Sequence, residues 1–263
     1  MNNAREPDNV HRLLPQDMPP PQRGRGIYLL PNLLTTSALF AGFYAIISAI
    51  HAHYEAAAIA IFMAMVLDGL DGRIARLTNT QSAFGAEYDS LADMVSFGVA
   101  PAILAYEWLL HEIGKLGFLA AFVYASAAAL RLARFNSQAA STDRKFFKGL
   151  PSPAAAAVVA GFIWCFDTHN LHGHGLIVAL TFLVTIACAG LMVSNIRFYS
   201  FKDLDLRSRV PFFKVLAVVL VFGVISVNPP IVLLLACVAY ASSGPILTLN
   251  QLQRRRRERR RGP

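Results

Sequence analysis

Eight apolar stretches, at residues 31–51, 54–77, 91–111, 116–136, 152–167, 174–195, 211–227 and 229–249, set the terms on which this chain folds. Most approach the roughly 20 residues a helix needs to cross bilayer hydrocarbon. There every backbone polar group must be satisfied internally, which leaves helices or closed barrels as the spanning forms. The fifth stretch is short, and only "NPP" separates the seventh from the eighth. Hydrophobic residues make up 55% of the 263 and charged residues 15%, against about 25% charged in a soluble domain. The expected fold is an all-α integral membrane protein of about eight transmembrane helices.

Charge placement orients this scheme. With the N-terminus inside and the helices alternating, all of the 24 Lys and Arg residues except Lys115 fall on the cytoplasmic side. Arg73 and Arg76 follow the second helix, Arg131, Arg134 and Lys148 lie between the fourth and fifth, and "RRRRERRR" closes the chain. This asymmetry matches the positive-inside rule and puts both termini in the cytoplasm. The formal net charge of +8 therefore reads as topology, and no nucleic-acid partner is expected. Residues 1–26, with "PQDMPPPQRGRG", have the composition of a disordered cytoplasmic leader and lack the order of a signal peptide. Cys165, Cys188 and Cys237 sit in apolar runs without metal-ligand or CxxC spacing, and read as small core residues. Six of the seven histidines fall on outer loops or helix ends, and "HNLHGH" reads as a polar hairpin.

The stretch "DGLDGRIARLTNTQSAFGAEYDSLAD" (68–93) breaks the apolar pattern with four aspartates. Carboxylates are costly beside hydrocarbon and mark function there. Asp68 and Asp71 are three residues apart near the end of the second helix, and Asp89 and Asp93 are four apart at the start of the third. Each pair shares a helical face. A short link between antiparallel helices brings the pairs together. Carboxylates so close repel one another unless cations neutralise them, and all-oxygen donors suit hard divalent ions such as Mg²⁺ or Mn²⁺. Gly72 and Ala75 leave space beside the acids, and Arg76 offers a planar fork for phosphate. Two such ions can neutralise a diphosphate and stabilise its leaving oxygen, so the constellation points to phosphoryl chemistry.

The pattern D-x2-D-G-x2-A-R-x8-G-x3-D-x3-D is met by Asp68, Asp71, Gly72, Ala75, Arg76, Gly85, Asp89 and Asp93. In these eight positions the chain resembles the CDP-alcohol phosphotransferases. The resemblance implies a membrane-embedded transferase with a six-helix core, two divalent cations and a CDP-linked donor that releases CMP. It makes Asp68, Asp71 and Asp89 metal ligands, with Asp93 in part a ligand and the general base. It also makes Arg76 a diphosphate clamp and places the nucleotide against Gly72, Ala75 and Gly85. "PNLLT" resembles the family's nucleotide-facing start of the first helix, with Asn32 and Thr35 on the donor side. By the same resemblance the core covers 27–205, residues 206–250 add two helices, and 251–263 form a basic cytoplasmic tail.

Four further stretches, "SLADMVSFGVAPA" (90–102), "ALRLARFN" (129–136), "FFKGLPSPAAA" (146–156) and "LMVSNIRFYSFKD" (191–203), resemble the branch of the family whose acceptor is serine. The expected substrates are then CDP-diacylglycerol and L-serine. The setting is membrane lipid, specifically the bacterial plasma membrane with the site facing the cytoplasm, and a homodimer is compatible with this. A zwitterionic acceptor needs a cation for its carboxylate. Arg131, Arg134, Asn136 and Lys148 are the acceptor-side candidates, with Arg134 and Asn136 of "RFN" preferred. Two alternatives stay open: the same chemistry on glycerol phosphate or inositol phosphate, and a divalent-cation transporter using the aspartates.

Overall fold

The computed structural model describes residues 29–78, 80, 82–138, 146–171, 175–199 and 212–260. The leader, residues 172–174 of the "HNLHGH" hairpin and residues 200–211 lie outside them. Nine α-helices and one short ribbon are described: α1 Leu29–Ile50, α2 Tyr54–Thr78, α3 Ala83–Asp93, α4 Ala100–Trp108, α5 Lys115–Gln138, β1 Phe146–Lys148, α6 Ser152–Thr168, α7 Gly175–Val193, β2 Arg197–Tyr199, α8 Phe212–Val227 and α9 Pro229–Arg260. Helix occupies each of the eight apolar stretches, with α3 and α4 together forming the third. The protein is an all-α membrane protein.

Four segments, Leu30–Ile50, Lys115–Ser137, Gly175–Val193 and Pro229–Thr248, are long and apolar enough to cross a membrane. Their outward faces carry large apolar side chains: Phe40, Phe43, Phe118, Phe122, Leu176 and Leu183 are all exposed. A water-soluble protein does not present so continuous an apolar surface. Lipid does not drive helices together as water does, so close approach relies on small residues. The buried faces follow that rule. Thr35, Ala38, Ala45 and Ala49 line one side of α1, and Ala57, Ala60, Ile61 and Ala64 one side of α2. The two helices reverse through a tight turn in which Ala52 adopts a φ of 59° and the His53 N–H reaches the Ser48 carbonyl at 2.9 Å.

The third apolar stretch begins earlier than its hydropathy implies. Ser82 caps α3, its hydroxyl accepting from the Gly85 N–H at 3.0 Å, which satisfies one of the unpaired donors of the first turn. Past Asp93 the helix widens into a π turn over Met94–Val99 before α4. Pro101 explains the widening. It has no N–H to give to Phe97, and its ring crowds that carbonyl. The Tyr124 hydroxyl of α5 donates to the Phe97 oxygen instead, at 3.3 Å.

Helix α6 is the hub. Ser152, Ala155–Ile163 and Trp164 are all buried, and α2, α4, α7 and α9 pack around it. The loops before α6 and after α7 pair as an antiparallel ribbon, with Phe146 opposite Tyr199, Phe147 opposite Phe198 and Lys148 opposite Arg197. The sequence reading assigned no strand here. Six residues pair because loop backbone packed against a helical bundle must still satisfy its N–H and C=O groups. Helix α9 continues unbroken into the arginine-rich stretch, through Pro245 and on to Arg260.

Candidate active site

A polar cavity of about 480 Å³ opens where α1, α2, α3, α5 and the start of α6 converge. Helix α2 lends it Asp68, Asp71, Gly72, Ala75 and Arg76; α3 lends Gly85, Asp89 and Asp93; α1 lends Pro31, Asn32 and Thr35. Arg131, Leu132 and Phe135 of α5, with Pro151 just before α6 and Pro153 in its first turn, complete the lining.

Oxygens of Asp68, Asp71 and Asp89 lie within 4.8 Å of one another. Asp93 is half-buried behind them; its carboxyl comes within hydrogen-bonding range of Asp68 and faces Asp89 and Arg131. Asp71 is buried. Thr35, also buried, holds it: the Thr35 hydroxyl lies 2.8 Å from Asp71 Oδ2 and 3.1 Å from the Pro31 carbonyl. Arg76 is braced along its own helix, its Nε donating to the Gly72 carbonyl at 2.9 Å. A Cβ added at Gly72 would meet nothing within 4 Å, so the space in front of that backbone is open. Asn32 stands beside Gly85, where an added Cβ would come 3.6 Å from the amide oxygen. Helix α3 is fixed from both sides, by Thr36 to Tyr88 at 2.9 Å and by the Asn136 amide donating to Ser90 at 3.0 Å.

The donor set fits a divalent cation. Three carboxylate oxygens so close together can reach one ion at about 2.0–2.4 Å. The absence of His and Cys from this cluster favours a hard ion over zinc. Thr35 then acts as an outer support that orients a ligand. Thr35→Val, which keeps the shape and removes the hydroxyl, is expected to weaken Mn²⁺ binding by about tenfold. A direct Mn²⁺ titration of the purified protein measures this, and unchanged affinity would leave Thr35 with packing alone.

The acceptor-side candidates separate in space. Arg131 lines the cavity and faces Asp93 and Asp68. Arg134 turns away, donating to the Val193 carbonyl at 3.4 Å and to Asn195, and is outside the lining. Asn136 is spent on Ser90, and Lys148 lies on β1. Phe135, Pro151, Pro153 and Ser152 were not singled out from sequence, although "ARFN" and "GLPSPA" flagged their neighbourhood. Ser152 is fully buried and accepts from Arg131 at 2.6 Å.

A helical membrane bundle whose polar cavity gathers four carboxylates with Arg76 and Arg131 has the features of a phosphotransfer enzyme. The family profile described as CDP-alcohol phosphatidyltransferase matches residues 28–187, and the chain belongs to that family. Among curated proteins it is 42% identical over 177 residues to the CDP-diacylglycerol–serine O-phosphatidyltransferase of Helicobacter pylori (strain ATCC 700392 / 26695), covering 67% of this chain and 74% of that one. A Methanocaldococcus jannaschii protein of the same name is 33% identical over 186 residues, covering 71% of this chain and 81% of its own. One from Mycobacterium tuberculosis (strain ATCC 25618 / H37Rv) is 41% identical over 147 residues, covering 54% and 51%.

Proposed function

We propose that the protein is a phosphatidylserine synthase, transferring the phosphatidyl group of CDP-diacylglycerol to L-serine and releasing CMP. The observation that carries this reading is the single cavity that joins the carboxylate cluster to Asp93 and Arg131. The names of the relatives support the choice of donor and acceptor. The bundle spans the bacterial plasma membrane eight times with both termini inside, so the cavity meets the cytoplasm, where CMP and serine are exchanged.

Asp68, Asp71 and Asp89, with Asp93 in part, would hold two divalent cations, Mg²⁺ or Mn²⁺, which when bound supply charge neutralisation for the diphosphate. Arg76 orients the diphosphate from the open side of Gly72. Asn32 hydrogen-bonds the cytosine, and the small surfaces of Ala75 and Gly85 let the nucleotide approach the helices. Arg131 receives the serine carboxylate, which sets the serine hydroxyl near Asp93. Asp93 takes the hydroxyl proton as the oxygen attacks the phosphorus nearer the lipid. The new P–O bond forms as the bond to the CMP oxygen breaks, and CMP leaves. Positioning and electrostatics bear most of the catalytic burden in such a transfer.

The test is CMP release from CDP-diacylglycerol by purified protein, with serine, glycerol phosphate or no acceptor, and with or without chelator. Serine-dependent CMP release that yields phosphatidylserine and stops with chelator is the expected result. CMP release that prefers glycerol phosphate, or full activity in excess chelator, overturns the reading. The acceptor side has its own check. Arg131→Lys removes the planar fork and is expected to raise the serine KM about tenfold while the CDP-diacylglycerol KM holds. Arg134→Lys is expected to leave both unchanged. The reverse pattern would return the carboxylate to Arg134.

A further inference from the structure

Arg131 does not reach the cavity unaided. Its guanidinium donates to Ser152, whose side chain is fully buried in the first turn of α6. The chain just before Ser152 is strapped to neighbouring elements. The Gly149 N–H donates to the Ile196 carbonyl at 2.8 Å, and the Leu150 N–H to the Leu191 carbonyl at 3.0 Å. Gly149 has a φ of 85°, and a Cβ there would come 2.3 Å from the Met192 carbonyl, so this strap has little slack. One residue further back the ribbon begins, and Phe147 on β1 pairs with Phe198 on β2.

The ribbon meets the C-terminal helix at Phe198, on a face of α9 whose Tyr240 also faces Arg131. Phe198 is fully buried, its ring centroid 6.0 Å from that of Tyr240 on α9. It fills a notch at Gly244, where an added Cβ would come 2.4 Å from the ring. Both β2 and α9 lie beyond the residues that the family profile matches.

We propose that Phe198, seated in the Gly244 notch, is a positioning residue for the acceptor: α9 fixes β2, the ribbon and strap fix Ser152, and Ser152 aims Arg131. The inference rests on the reading of Arg131 as the cation that receives the serine carboxylate. It assigns the C-terminal helix a part in acceptor selectivity and none in holding the donor, because the donor-side residues come from α1, α2 and α3.

Gly244→Ala pushes the ring out of its notch, and Phe198→Leu withdraws it. Each single variant is expected to raise the serine KM by several-fold to about tenfold. The CDP-diacylglycerol KM and directly titrated Mn²⁺ affinity should stay within about twofold of the parent, since a group held by independent contacts does not feel a distant change. In the Gly244→Ala background, adding Phe198→Leu is expected to lower the serine KM again, because the smaller side chain makes room for the new methyl. Steric relief of this kind is a coupling that general destabilisation does not produce. If Gly244→Ala does not assemble, Phe198→Leu decides by the same split between serine and donor. An unchanged serine KM in folded single variants, or a parallel rise in the donor KM, overturns the proposal. A parent protein that does not use serine sinks the acceptor reading itself, and this inference with it.

Discussion

Asp93→Asn is expected to lower kcat by about 10³-fold while CDP-diacylglycerol still binds, because a positioned general base contributes about 10²–10⁴-fold. Asparagine keeps the shape of the side chain and removes its basicity. Asp68, Asp71 and Asp89 still cluster without Asp93, and asparagine keeps one oxygen donor, so Mn²⁺ and donor affinity should fall by about tenfold, the low end for a weakened contact around a metal, and far less than kcat. Asp93 also faces Arg131, as Asp68 does, which sets it beside both the carboxylate cluster and the proposed serine site. The measurement pairs CMP release with direct donor binding on a variant that melts like the parent. Turnover within about tenfold of the parent would remove Asp93 from the base role.

Asp89→Ala should fail in a different way. Removing one of three clustered ligands is expected to cost at least about 100-fold in Mn²⁺ affinity, since even outer-shell losses cost 10–100-fold. Donor affinity should fall with it, because the diphosphate then meets uncompensated carboxylates. The thermal signature carries an opposite sign in the two conditions. In chelator the variant has one fewer negative charge in a repelling cluster, so it should melt no lower than the parent. In saturating Mn²⁺ the parent gains the linkage stabilisation of a bound ion and the variant does not. Asp68→Ala should behave alike. Equal Mn²⁺-induced shifts in parent and variant would remove these carboxylates from the metal site.

The helical segments were legible because they are local. A run of apolar residues long enough to cross hydrocarbon has few alternatives to helix, and α1, α2, α5, α6, α7 and α8 fall close to the expected boundaries, while α9 starts where expected but runs past 249 into the arginine-rich stretch as far as Arg260. The start of α3 was not legible from hydropathy. Its residues Ala83–Asp93 include Glu87, Asp89 and Asp93, and a helix that lines a polar cavity carries no apolar run of its own. The signal that locates it is the Ser82 cap. The π turn was equally hidden, although Pro101 marks where the ladder had to change. The ribbon escaped notice because three-residue strands of "FFK" and "RFY" have too little periodicity to distinguish from loop.

What the sequence determined by itself is the class of the fold and the meeting of the carboxylates. Residues three and four apart on two helices joined by a short link share faces whatever the rest of the bundle does, and Asp68, Asp71 and Asp89 converge accordingly. Tertiary structure alone decided which cation enters the cavity. Arg131 and Arg134 lie three residues apart on α5, so their directions differ by only about 60° around the axis. The choice between them depends on how α5 is rotated against α3, α6 and α7. Asn195, the Val193 carbonyl and Ser152 set that rotation from segments about 20 to 60 residues away. The same is true of Thr35, whose hydroxyl is committed to Asp71 across the α1–α2 interface. Side-chain partners so remote in the chain leave no periodic trace, because they are created by packing and not by local conformation.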